Sequence, residues 1–316
     1  MATNNPTSAP GDDVRPATVP AGGNGRRGRR RTRDDQPEYT GWPKFRRALM
    51  HAALIAAGFL MLYPILWMLS SSFKPTEFIF SDPTLWPSAF TLDNYTRGWD
   101  ALAHPFSRYF LNSFIIVAGA VTGNILACSM AAYAFARLEF PFKKALFAIM
   151  LATIMLPIHV VIVPQYILFA QLDWINTFYP LIVPKFLATD AFFIFLMVQF
   201  IRSLPRELDQ QASVDGCGFF SIYWRIIMPL CKPAIATTAI FTFIWTWNDF
   251  FSQLIFLTDT SMYTVPVALR TFMDSTGISA WGPLFAMSVL SIAPIFGFFL
   301  AAQKYLVRGV ATTGFK

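Results

Sequence analysis

The sequence predicts an all-α polytopic membrane protein with six transmembrane helices. Three observations carry this reading. Of 316 residues, 55% are hydrophobic and only 14% charged, with a mean hydropathy of +0.46, whereas soluble domains carry about 25% charged residues. Six long apolar segments follow a polar start, and the basic residues gather between alternate segments. A soluble domain of this size has no interior large enough for so much apolar surface.

The elements follow in order. Residues 1–40 are rich in Pro, Gly, Asn, Thr and Arg and nearly free of large apolar side chains. Such a composition buries no core, so residues 1–45 read as a disordered basic cytoplasmic tail. Its run RRGRRR at 26–31 is attracted to anionic lipid. The formal charge of +7 does not call for a nucleic-acid partner, because the charge is concentrated in this tail and not spread over a soluble face. Nor is the start a secretory signal. The first apolar stretch opens only near Ala48 and is too long.

The apolar segments are 48–73, about 109–135, 145–170, 178–201, about 226–257 and 282–303. At 1.5 Å rise per residue, roughly 20 residues cross the hydrocarbon, so each is long enough. Pro157, Pro164, Pro180, Pro184, Pro229, Pro233 and Pro294 fall within them. In a bundle, neighbouring helices satisfy the freed carbonyls, and these prolines predict kinks. With the N-terminus inside, nineteen of the 25 Lys and Arg lie in inner segments, and without the tail the bias is still nine against four. Both termini are therefore expected in the cytoplasm. The domains read as a tail at 1–45, the first helix and an outer connection at 46–107, a core at 108–304, and a cytoplasmic end at 305–316.

Catalysis finds no support. Cys128, Cys217 and Cys231 have no CxxC spacing, and His51, His104 and His159 are scattered. The inner loops hold no nucleophile, acid pair or metal cluster. The chain has no GxxxxGK[ST] phosphate loop, so ATP hydrolysis is not expected of it. No cofactor is expected in this chain.

The polar stretch ELDQQASVDGCGFFSIYWRIIMP at 207–229 stands out between two apolar segments. Pro205 suits a first helical turn, Ser203 an N-cap, and Glu207 the positive end of a helix dipole. Leu208 and Ala212 share a face. Gly216 can take the left-handed turn that stops a helix. A second short helix then carries Phe219, Phe220, Ile222 and Tyr223 towards the membrane. On physics alone, an interfacial amphipathic helix fits as well.

This stretch resembles the "EAA" loop of ABC importer permeases: an E-A-A, two residues, D-G-A, then about nine residues to Ile-x-Leu-Pro. Here Gln211-Ala212 precede Asp215-Gly216-Cys217 by two residues, and Ile227-Met228-Pro229 follow. AAYAFARLEFP at 131–141, TFYPLIVP at 177–184, WTWNDF at 245–250 and the C-terminal YLVRGVATTGFK resemble the second permease of carbohydrate importers. The resemblance covers about residues 45–316. It implies a type I importer (MetI-like) permease fold and import of a sugar, such as an oligosaccharide or a glycerol-phosphate-like solute. It also implies a second permease, two copies of an ATPase subunit that binds ATP and Mg, and an extracytoplasmic solute-binding protein. The coupling loop, at 203–223, would dock on the ATPase through Glu207, Asp209, Gln210, Gln211, Ala212, Asp215, Gly216, Phe219 and Phe220, with Pro229 closing the motif. The family's acidic residue and first alanine fall at Gln210 and Gln211, and Glu207 or Asp209 could replace the lost charge. A self-sufficient secondary transporter or channel is the alternative, though no internal repeat supports it.

Charges within the spans mark cavities or partners. Lys185, Asp190 and Asp249 are such charges. Asn248 and Asp249 sit about eight residues from the outer end of the fifth helix, about 12 Å deep. With Trp245 and Trp247 they could line a sugar path or brace a helix break. Gln165 and Tyr166, beside Pro164, are further path candidates.

Overall fold

The computed structural model describes residues 44–274 and 280–312. Most of the expected N-terminal tail, and residues 313–316, lie outside the described residues. The chain divides between Ala57 and Gly58 into two units. In the first, residues 44–57 are helical and exposed throughout, the N-terminal part of α1 (Lys44–Ser71).

The second unit is helical, with no strand among the described residues. After the end of α1 come α2 (Asp93–Asp100), α3 (Phe106–Arg137), α4 (Lys143–Thr153) and α5 (Ile158–Gln171). The short α6 (Tyr179–Ile182) runs through a 3-10 turn, Val183–Leu187, into α7 (Ala191–Ser203). Then follow α8 (Glu207–Val214), α9 (Phe219–Ile222), a π turn at Tyr223–Ile227, α10 (Met228–Leu230) and α11 (Lys232–Asn248). The unit ends with α12 (Phe251–Phe256), α13 (Val265–Asp274) and α14 (Trp281–Thr312), the last extending into the expected C-terminal tail.

Four stretches are long and apolar enough to cross a membrane without a sharp bend: α1, α3, Tyr179–Ser203 and Trp281–Lys304. Two more are bent. The α4–α5 pair turns by 101° and the Phe219–Leu230 plus α11 pair by 76°, giving six spans if each pair counts as one. The third segment is therefore a sharp elbow and not a gently kinked helix. Pro157 is the residue before α5 and is extended (ψ 135°), so it ends one helix and opens the next. The fifth segment is also shorter than expected, because α11 stops at Asn248.

α3 is the central element, and two glycines let it sit close to the 179–187 segment. A Cβ on Gly119 would come 2.8 Å from Ile182, and one on Gly123 would come 2.8 Å from Phe186. At one end of the bundle, Cys128, Ala132 and Tyr133 of α3 pack with Phe193, Met197 and Ile201 of α7 and with Ala212, Ile222 and Ile227. At the other, Phe106, Tyr109 and Val117 pack with Trp247, Phe272 and Met287. Asn112 donates to the carbonyls of Ser261 and Tyr263 (3.0 and 2.8 Å), so the loop before α13 is tied to α3.

Candidate functional site

The 203–223 stretch forms a helix, a glycine turn and a second helix. Ser203 is not the N-cap expected of it. It is the last residue of α7, and its hydroxyl donates back to the Phe200 carbonyl. Arg206 stands at the cap position of α8 with no capping side chain. Its carbonyl instead accepts from the backbone N–H groups of Asp209 and Gln210, both at 3.1 Å. The exit is as expected. Gly216 has φ +82°, Cys217 N–H donates to Ala212 O at 2.9 Å and Gly216 N–H to Ser213 O at 3.1 Å, the pair of bonds that closes a helix on a left-handed residue.

The unit has two sides. Ala212 is buried, as are Ile222 and Tyr223 of the return segment. Glu207, Gln210, Gln211 and Asp215 are exposed. Val214, Phe219 and Phe220 are 88%, 67% and 65% exposed, so apolar side chains on both sides of the glycine turn face outward. Phe219 and Phe220 do not follow Ile222 and Tyr223 into the bundle. Pro229 is exposed in α10, behind the turn.

Two contacts fix this surface unit to α3. Arg137 Nε lies 2.8 Å from Asp209 Oδ2 with both side chains largely buried, and Arg137 also donates to the Leu204 carbonyl at 2.9 Å. Tyr223 Oη and Ser129 Oγ are 2.7 Å apart. Burial pushes the Asp209 carboxyl above its ordinary range, while Arg137 and then Arg206 pull it back. Asp209 is thus turned inward and is not an outward substitute for the charge missing at Gln210. In the sequence Arg137 is one basic residue of the inner segments, within AAYAFARLEFP, and no pairing role is expected of it. Its signal was its position as the last residue of a long apolar helix.

A second site is a cavity of about 890 Å³ between α5, the 180–190 segment and the α11–α12 junction, whose lining includes Gln165, Lys185, Asp190, Trp245, Asn248 and Asp249. The charges within the span partner each other. Lys185 Nζ is 2.8 Å from Asp190 Oδ2, and Asn124 donates to the same oxygen at 2.6 Å and to Thr242 at 3.1 Å. Asp249 Oδ1 accepts the Ser252 N–H at 3.1 Å. It therefore holds a helix break while also lining the cavity, and the depth inferred for a continuous helix does not apply. Trp245 is half-exposed, its ring packed on Phe193 and Phe192.

The structure separates two candidates from this group. Trp247 is buried, stacks on Phe243 and donates to the Ser291 carbonyl at 3.2 Å. Two residues of helix turn it about 200° away from Trp245. Tyr166 stacks on Phe256 with its ring exposed, and the cavity is lined by Gln165 and not by Tyr166. Among the described residues, no three His, Cys, Asp or Glu side chains are grouped to hold a metal.

Residues 123–312 match a family described as binding-protein-dependent transport system inner membrane component. A probable ABC transporter permease protein of Bacillus subtilis (strain 168) is 35% identical over 80% of this chain and 83% of its own. A diacetylchitobiose uptake system permease protein of Streptomyces coelicolor (strain ATCC BAA-471 / A3(2) / M145) is 31% identical over 85% of this chain and 89% of its own. A solved bacterial ABC transporter involved in the import of the acidic polysaccharide alginate shares the fold. Its TM-score is 0.73 at 22% identity, over 84% of this chain and 99% of that one.

Proposed function

The chain belongs to the binding-protein-dependent transport system inner membrane components, and from that premise we propose that it gates a saccharide path and is driven through its 207–220 surface unit. It is a multi-pass permease of the MetI-like fold and not an enzyme. In our reading a second permease completes the path. Two copies of an ATPase subunit bind ATP and Mg beneath it, and a solute-binding protein delivers substrate from outside. The self-sufficient transporter gives way to the family assignment.

The observation that carries the coupling role is the combination at 207–220. An outward apolar face (Val214, Phe219, Phe220) sits on a unit anchored inward by Arg137–Asp209 and Tyr223–Ser129. A knob held this way transmits displacement into α3 without absorbing it, as a rigid-body switch requires. The basic bias of the same loops supports a cytoplasmic side for this end and for both termini.

The saccharide reading is supported by the diacetylchitobiose relative and by the cavity. Trp245 offers a ring face, with Gln165, Asn248 and Asp249 as hydrogen-bonding neighbours. This chain's share of the lining has one cation, Lys185, already neutralised by Asp190. An uncharged saccharide suits it better than a phosphate ester.

The test is reconstitution. The purified chain in proteoliposomes should move no saccharide until the second permease, ATPase, binding protein and ATP are supplied. Flux by the chain alone would overturn the proposal.

A further inference from the structure

We propose that a pocket at the coupling end of the bundle binds the phosphate of an anionic phospholipid headgroup. The pocket encloses about 780 Å³ and is framed by Phe135, Phe142, Lys143, Lys144, Phe147 and Arg202, a size within the range of small-molecule sites. It lies where the end of α3, the start of α4 and the end of α7 meet. Arg137, at the end of α3, reaches Leu204 and Asp209, so the pocket shares its end of the molecule with the 207–220 unit. There the apolar spans end in charged residues, Arg137, Lys143, Lys144 and Arg202, which suits the depth of lipid headgroups.

The lining has the two chemistries such a ligand needs. Lys144 is exposed and pairs with no acid among the described residues. Arg202 is exposed, and its guanidinium lies 5.3 Å from the Phe147 ring centre, leaving its N–H fork open to a phosphate oxygen. Lys143 donates to the Leu138 carbonyl at 2.6 Å and pairs with Glu139 at 3.2 Å. Glu139 is the one acid in the lining against three cations, a net charge of +2. Both lysines open α4, where the helix dipole disfavours cations, and an anion in the pocket relieves that repulsion. Around the charges, the phenylalanine rings offer apolar contact to the glycerol and the first acyl carbons. Phe142 is 79% exposed and holds a left-handed backbone (φ 60°), which leaves its ring outside the core and free to meet an acyl chain.

Basic pockets between membrane helices on the cytoplasmic side take acidic headgroups in this way. The inference rests on the orientation proposed above only for the choice of leaflet. Its test uses no transport or ATPase readout, so its failure and a failure of coupling are separable.

The experiment is native mass spectrometry and thermal unfolding of the full chain in nanodiscs. The lipids are phosphatidylcholine alone or phosphatidylcholine with phosphatidylglycerol, and inorganic phosphate is a third arm. Phosphatidylglycerol should be retained and should raise Tm. Lys144→Gln, at an exposed position, should weaken its retention about fivefold, and the Lys144→Gln/Arg202→Gln pair by roughly 30-fold. Both variants should unfold as the parent does in phosphatidylcholine alone. Equal retention of phosphatidylcholine, or undiminished phosphatidylglycerol preference in the double variant, would overturn the site. An equal Tm gain from inorganic phosphate would overturn the lipid assignment in favour of a free anion.

Discussion

Arg137 Nε stands 2.8 Å from Asp209 Oδ2, so the last residue of α3 grips the first turn of α8. The same guanidinium donates to the Leu204 carbonyl at 2.9 Å, which closes the junction between α7 and α8. One side chain thus joins a central helix of the bundle to the unit proposed to meet the ATPase. Burial alone disfavours the Asp209 carboxylate, and Arg137 is the compensating charge.

Arg137→Ala leaves Asp209 enclosed without its partner. Breaking one side of such a pair costs on the order of 3 kcal/mol. The loss should be local and should appear as faster amide exchange and proteolysis across 204–220, with spans α3 and α11 still protected. Arg137→Ala/Asp209→Ala should recover part of the loss. If the two single changes add with no coupling energy in a double-mutant cycle, the pair is not what holds the unit.

Gly216 sits at φ +82° with open space where a Cβ would be. Gly216→Ala therefore meets backbone strain alone, about 1–2 kcal/mol, and should keep partial coupling. Gly216→Pro demands a φ near −65° and breaks the turn between α8 and α9. Insertion and the basal ATPase activity of the partner subunits should survive, and substrate-stimulated hydrolysis should vanish. Normal uptake by the proline variant would contradict the role given to this turn.

Asp82, in the connection between α1 and α2, gives a pH prediction. Hydrogen bonds from Thr84 and then Ser88 hold its carboxyl well below the ordinary value of 3.8, and its backbone carbonyl accepts from buried Lys74 at 2.6 Å. A lowered folded-state pKa contributes stability that is present above the ordinary value and is lost as pH falls below it towards the folded value. Amide protection at Thr84 and Ser88 should hold from pH 7 to about 4 and decline in more acid solution. Asp82→Asn should start less protected and show no such decline. An identical acid profile in parent and variant would exclude Asp82 as the titrating group.

Six apolar segments, their order and the left-handed Gly216 turn were all legible, because composition and a glycine beside Asp215 are local properties. The elbow at Pro157 was expected only as a kink. A proline's missing N–H is visible in sequence, but whether neighbours straighten or exaggerate the break depends on packing. Pro164 and Pro294 lie inside unbroken helices, whereas Pro157 opens a new one. Asp209 illustrates the other limit. Glu207 and Asp209 look alike as first-turn acids, yet only Asp209 lies on the face towards α3, beside an arginine about 70 residues earlier. Charge type is local, but the direction of a side chain is set by long-range packing.

The two tryptophans of WTWND, residues 245–249, divide the same way and permit a sharp test. Trp245 is half-exposed beside the cavity. Trp247 is enclosed by Phe110, Phe114 and Phe243, with its indole N–H on Ser291. Trp247→Ala removes a packed ring and strands the Ser291 contact, costing about 3–5 kcal/mol, and should lower Tm and membrane yield. Trp245→Ala should leave Tm nearly unchanged. It should reduce saccharide uptake several-fold, from the loss of about 1 kcal/mol of ring contact. The assay is uptake and thermal unfolding measured on the same preparations of the assembled transporter. If Trp245→Ala transports normally, or unfolds as readily as Trp247→Ala, the ring is bracing a helix and the sugar passes elsewhere.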